Sequence, residues 1–177
     1  MAYELITLPD HEEIKPILME LFESESYQFR KYWDSCPAMT TIALRNTKLK
    51  KCLMNTGLDK IFYEQTGEHC LKNSLDQGLG NVWMNKYDEN YFQEPHNHIS
   101  STGQETHRKC FVYFLDVPEN EQLFFFLKDG IITYIREKSG MVVIFDPADY
   151  HGVDMNPSNQ QRRTISGNIG AILKDGE

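Results

Sequence analysis

Gly140-Met-Val-Val-Ile-Phe-Asp-Pro-Ala-Asp-Tyr-His151 reads as a turn, a buried strand, a second turn and a histidine at the start of a further strand. The apolar run between Gly140 and Asp146 is too short for a helix and suits a strand covered on both faces. The same grammar extends outward. Asn81–Tyr87, Lys109–Val117, Gln122–Lys128, Ile131–Arg136, Met141–Phe145 and Arg162–Ile172 are rich in Val, Ile, Phe, Tyr and Thr. Turn residues separate them at Asp116-Val-Pro-Glu-Asn120, Asp129-Gly130, Ser139-Gly140 and Asn156-Pro-Ser-Asn159. Asp129-Gly130 between two apolar runs is a two-residue hairpin signal. Short strands at about ten-residue spacing predict a sandwich or a barrel.

Upstream, to about Gln77, the pattern is helical. Ile14, Ile17, Leu18, Leu21 and Phe22 fall on one face of an amphipathic helix. Asp10 and Glu13 have the spacing of a capping box, while Pro16 predicts that the regular helix starts a few residues later. A second helical region, Thr47–Gln77, is broken near Gly57 and Gly67, and Met39–Arg45 between the two is a candidate strand. No repeat or linker divides the chain. It is expected to be a single α+β domain over 1–177, with 1–80 a mainly helical support packed on one sheet and 81–173 the β core.

The chain has 177 residues, 40% of them hydrophobic, so one core of ordinary size is expected. Eighteen basic against 26 acidic side chains give a net charge of −8, which argues against a nucleic-acid partner. No apolar run approaches the roughly 20 residues that span a bilayer, so no membrane partner is expected. The start of the chain lacks a charged, apolar leader, and the expectation is a cytoplasmic protein. Cys36, Cys52, Cys70 and Cys110 form no C-x-x-C unit and are expected to be reduced, several of them buried. Oligomeric state is not encoded in any pattern here.

Six histidines occur, and His96-Asn97-His98 is the first candidate site. In extended backbone, residues i and i+2 share a face, so both imidazoles can converge on one ion. In a rolled antiparallel sheet, distant strands become neighbours, which lets His151 complete a facial set with His96 and His98. Three ligands on one octahedral face leave three positions open. A closed tetrahedral site would need a fourth ligand, which the pattern does not place; His107 and Asp154 are further candidates. Past His151, alternation puts Arg162, Thr164, Ser166 and Asn168 on one face and Arg163, Ile165 and Ile169 on the other. An arginine inside a barrel needs an anionic partner, because burying it unpaired costs several kcal/mol. A ligand carboxylate gripped by Arg162 and Thr164 would serve; an edge strand with its polar face in water is the alternative.

Taken together, H-x-H, a distal His and R-x-T near the end resemble the 2-oxoglutarate/Fe(II)-dependent oxygenase superfamily, with its order H-x-D/E, H, R-x-S/T. The branch related to prolyl hydroxylases is the nearest in pattern. Its parts match Trp83-Met-Asn85, Pro95-His-Asn-His98, Tyr113-Phe-Leu115 and Arg162-Arg-Thr-Ile-Ser-Gly-Asn168. The resemblance covers about residues 81–170. It implies a double-stranded β-helix (jelly-roll, cupin-like) core, with Fe(II) held by His96, His98 and His151. Arg162 and Thr164 would hold the far carboxylate of the co-substrate 2-oxoglutarate; Tyr87, and Asn85 on the same face, would contact it. The implied activity is oxygen-dependent hydroxylation of a small molecule or a protein side chain. His98 stands where the superfamily has a carboxylate, which leaves the site one negative charge short.

Two other readings use the same residues. Gly140, Pro147 and His151 resemble the second cupin motif, which implies a three-histidine dioxygenase that needs no 2-oxoglutarate and leaves Arg162 and Thr164 without a role. A non-catalytic β-sandwich interaction module is the third; it draws on the missing carboxylate and on Tyr91, Phe92 and Phe124–Phe126 as surface candidates, although the run Leu123–Leu127 supplies both sheet faces and most of these aromatics are expected in the core.

Overall fold

The computed structural model describes residues 2–44, 47–67, 82–99, 103 and 107–171. In chain order the elements are β1 (Tyr3–Thr7), α1 (His11–Ser24), β2 (Arg30–Lys31), β3 (Met39–Thr40), α2 (Thr47–Leu53), α3 (Gly57–Thr66), β4 (Val82–Tyr87) and β5 (Gln93–His96). They continue with β6 (His107–Asp116), β7 (Phe124–Lys128), β8 (Ile131–Tyr134), β9 (Met141–Phe145), β10 (Tyr150–Val153) and β11 (Arg162–Ala171). The architecture is α+β and mostly sheet. A seven-stranded sheet has the order β1-β9-β6-β11-β4-β3-β2, and a four-stranded sheet has the order β5-β10-β7-β8. Every described pairing is antiparallel.

Alternation along the strands of the large sheet builds two cores. On one face Val82, Met84, Phe111, Tyr113, Leu115, Val142, Ile144, Ile165 and Ile169 meet Leu18, Leu21 and Phe22 of α1 and Leu49, Leu58 and Phe62 of α2 and α3. On the other face Tyr87, Cys110, Val112, Phe114, Val143 and Phe145 meet Phe124, Phe126 and Val153 of the small sheet. The phenyl rings interlock: Phe126 lies 5.2 Å and nearly perpendicular to Phe145, and Phe114 lies 6.0 Å from Phe124. The helices thus cover one face of the large sheet, as the sequence pattern predicts. Phe124, Phe125 and Phe126 are all buried, and so are not surface aromatics.

β4, β7, β8, β9 and β11 fall within the predicted segments and β10 holds His151, whereas β6 starts two residues early at His107 and β5 is marked by no β pattern. Asp129 and Gly130 both adopt positive φ, +51° and +77°, and close the β7–β8 hairpin as expected. The N-terminal half differs more. It supplies three strands besides its helices: β1 lies alongside β9, and β2 and β3 form the opposite edge. The strand expected over Met39–Arg45 is confined to Met39–Thr40. The second helical region splits before Gly57 and stops at Gly67, whose φ of +72° gives the left-handed cap that only glycine adopts cheaply. Its continuation to Gln77 lies outside the described residues.

Helix α1 starts at His11 and runs through Pro16, so the expected later start is not observed. Burial of Ile14, Leu18, Leu21 and Phe22 outweighs the missing hydrogen bond, whereas Ile17 stays exposed. The capping box is also not made. No side chain caps α1; the Asp10 carboxylate instead accepts the Gly57 N–H at 2.8 Å, capping α3 from 47 residues away. Asp10→Ala should therefore cost about 1 kcal/mol in denaturant unfolding, while Glu13→Ala should stay within about 0.5 kcal/mol of wild type. Equal losses from the two would restore the capping box.

Candidate metal centre and its cavity

The β5–β10 ladder sets His151 directly across from His96. His98 lies two residues past His96, where its backbone N–H donates to the Pro147 carbonyl at 2.9 Å. This tie holds the end of β5 against the turn that leads into β10. The three imidazoles converge, with ring centroids 4.4 to 5.4 Å apart and ligating nitrogens all within 4.8 Å of one another.

Each ring is oriented from behind. His96 Nδ1 donates to the Glu94 carbonyl at 3.0 Å, and His151 Nδ1 donates to the Asp149 carbonyl at 3.0 Å. His98 Nδ1 donates to Asn168 Oδ1 at 2.5 Å. Since these oxygens only accept, each Nδ1 carries the proton and each Nε2 carries the lone pair a metal needs. Cys110 packs behind His98, its thiol donating to the same Asn168 oxygen at 3.2 Å. Cys36 and Cys110 are buried as expected, Cys52 is partly so, and all three are free; Cys70 lies outside the described residues. Of the further ligand candidates, Asp154 accepts the Tyr134 hydroxyl away from the cluster, and the His107 side chain lies outside the described residues.

A cavity of about 560 Å³ opens from the histidines. Trp33 and Trp83 flank His96 and His98, each with ring centroids 5.9 Å away, and Phe145 packs 4.6 Å from His151. The predicted inward face of β11 lines this cavity through Arg162, Thr164, Ser166 and Asn168, and Asn85 and Tyr87 of β4 lie beside it. Asn85 Nδ2 donates to Ser166 Oγ at 2.9 Å and to Thr164 Oγ1 at 3.4 Å. Tyr87 donates to Gln93 Oε1 at 2.7 Å; burial raises its pKa and keeps the phenol protonated.

Arg162 is fully buried and finds its anionic partner within the chain. Its Nε and Nη2 grip Glu137 at 3.2 and 2.7 Å, both side chains being 0% exposed. Burial opposes the guanidinium's charge, but Glu137 outweighs it and the pKa is raised, so the arginine stays charged. Nη1 is buried without a hydrogen-bond partner. Glu137 carries no local signal in the sequence: before Ser139-Gly140 it looks like an ordinary turn carboxylate. Gln93 and the aromatic mouth residues Tyr32 and Trp33 were equally invisible, because only folding brings them to the cavity.

Burial lowers the pKa of His96, and burial together with repulsion from His96 and His98 places that of His151 well below the ordinary value. A lowered imidazole pKa means that the unfolded chain takes up protons first. The metal-free fold should therefore hold its full stability above about pH 6.5 and lose up to about 1.4 kcal/mol per pH unit for each such group below it. Urea midpoints at pH 7.5 and 5.5 test this, and His151→Ala should show the smaller drop.

Solved structures resemble nearly the whole chain. A prolyl-4-hydroxylase from Pseudomonas putida matches with a TM-score of 0.63 at 12% identity, over 97% of this chain and 93% of its own. A Trichoplax adhaerens prolyl hydroxylase, in complex with a hypoxia inducible factor oxygen degradation domain peptide fragment, has a TM-score of 0.65 at 12% identity, over 93% and 81%. A viral collagen prolyl hydroxylase from Paramecium Bursaria Chlorella virus-1, in complex with 2-oxoglutarate, has a TM-score of 0.60 at 13% identity, over 98% and 97%. No protein-family model and no curated protein matches the sequence. The chain thus has the fold of solved prolyl hydroxylases and of a 2-oxoglutarate/Fe(II) oxygenase, and three histidines converge within it.

Proposed function

We propose that this protein is a 2-oxoglutarate- and Fe(II)-dependent dioxygenase built as one domain on a double-stranded β-helix, hydroxylating a small molecule or a protein side chain. The observation that carries the reading is the convergence of His96, His98 and His151, each with its proton held on Nδ1, at one end of an apolar cavity. The donor set fits Fe(II): three neutral imidazoles on one side, with room opposite. The cavity wall also has a buried guanidinium nitrogen without a partner, which suits an acceptor oxygen of a bound ligand. Three free cysteines fit a reducing, cytoplasmic setting.

When bound, iron and 2-oxoglutarate would supply dioxygen activation and the oxidising power for hydroxylation, with release of succinate and carbon dioxide. The chain's own residues do the rest. His96, His98 and His151 would hold the ion, and Asn168 with the carbonyls of Glu94 and Asp149 keeps their lone pairs aimed at it. Arg162 through Nη1, Thr164, Tyr87 and Asn85 would meet the far end of the co-substrate. Phe124, Phe145 and Val153 exclude water from the histidines, and Tyr32 and Trp33 stand at the mouth where the prime substrate arrives.

One observation favours a second reading. Arg162 already has a carboxylate partner, which suits a three-histidine dioxygenase that dispenses with 2-oxoglutarate. Anaerobic iron titration followed by oxygen-dependent succinate release decides between them. The proposed function expects stoichiometric iron and succinate formation, both abolished in His96→Ala, His98→Ala and His151→Ala. Iron without saturable 2-oxoglutarate binding would transfer the assignment to the second reading; no iron would leave a binding module. Asn168→Ala should weaken iron binding by about 10- to 100-fold, the usual effect of freeing a ligand from its orienting partner.

A further inference from the structure

Arg162 is not free to do what an arginine at its position in the motif is expected to do. Its Nε–Nη2 edge, one of the two that suit a bidentate carboxylate, is occupied by Glu137, and the other shares the same Nη2. The carboxylate is itself fixed, because Glu137 Oε1 also accepts the Leu123 N–H at 3.3 Å. The guanidinium is wedged between the rings of Tyr87 and Phe114, 5.0 and 5.6 Å from their centroids. Turning toward a ligand would strand a fully buried carboxylate with little more than one backbone N–H, so the pair stays closed. An incoming ligand finds one unpartnered nitrogen of Arg162, Nη1, on a pair whose net charge is zero.

The histidines shift the charge the other way. A dication held by three neutral imidazoles keeps its full +2, where a carboxylate ligand would have reduced it to +1. The total with the Arg162–Glu137 pair equals that of a site with one carboxylate ligand and an unpaired arginine. Its distribution differs: the positive charge gathers at the metal end and vanishes from the far end. We infer that Glu137 sets the co-substrate selectivity of this site, so that it takes 2-oxo acids by their 2-oxo carboxylate head with little regard to charge on the tail. This rests on the dioxygenase reading above and specifies its co-substrate class.

The test compares 2-oxoglutarate with 2-oxovalerate, which has the same chain length and a methyl group in place of the far carboxylate. Calorimetric binding to anaerobic, Fe(II)-loaded protein is the readout. The wild type should bind both, and Glu137→Gln, by exposing an uncompensated guanidinium, should raise the preference for 2-oxoglutarate by about tenfold or more. A preference that is unchanged or falls overturns the inference, since Glu137 would then be orienting Arg162 for the far carboxylate. Should Glu137→Gln not fold, the wild type alone still decides: affinities for the two acids within about tenfold of each other support the inference, and a stronger preference for 2-oxoglutarate overturns it. Failure of the parent reading looks different: the iron-loaded wild type would bind neither acid, and both proposals would fall together.

Discussion

The central strands of the large sheet serve two environments, and the two-residue period of the backbone keeps them apart. Ile165 and Ile169 of β11 lie among the helices, while Arg162, Thr164, Ser166 and Asn168 of the same strand line the cavity. β4 divides likewise between Met84 and the Asn85–Tyr87 pair of cavity residues. A slip of one residue would push Arg162 into the apolar helix interface and the isoleucines into the cavity, which fixes the register. The irregularity between Arg163 and Thr164 where β11 meets β6 lies next to Arg162, at the end of this ladder.

On that scaffold the cavity is arranged by charge. Burial lowers the pKa of His96 and His151, and acceptors on Nδ1 pin all three imidazoles so that their lone pairs share one volume. In the wall of the same cavity a guanidinium keeps its charge because a carboxylate is buried with it. Such a pair contributes little net stability over an apolar replacement, yet losing one partner alone costs about 3–5 kcal/mol. Its presence in the wall of a cavity, rather than at the surface, is what ties it to ligand choice.

The N-terminal half does more than cover the sheet. β1 gives β9 a partner on its outer side, and Asp10, at the start of α1, reaches across to the first turn of α3. His11 Nδ1 and the Tyr113 hydroxyl are 2.6 Å apart on the helical face of β6, so that tyrosine is directed away from the cavity. The apolar pattern of Cys110–Leu115 could not give this parity, because both faces of that strand are buried and both read alike.

The sequence by itself determined the strands from residue 82 onward other than β5, the hairpin at Asp129-Gly130, the division of β11 into two faces and the pairing of His96 with His98. These follow from local rules: period, turn chemistry and the short reach of H-x-H. Only the tertiary structure decided that β1, β2 and β3 extend the large sheet, because their partners lie far along the chain and their own patterns are short. It alone decided that Asp10 caps α3, that Asn168 orients His98 and that Glu137 closes on Arg162. Each of these joins residues 25 to 70 positions apart. A buried arginine announces that it needs an anion; where the anion comes from is a matter of which strands become neighbours.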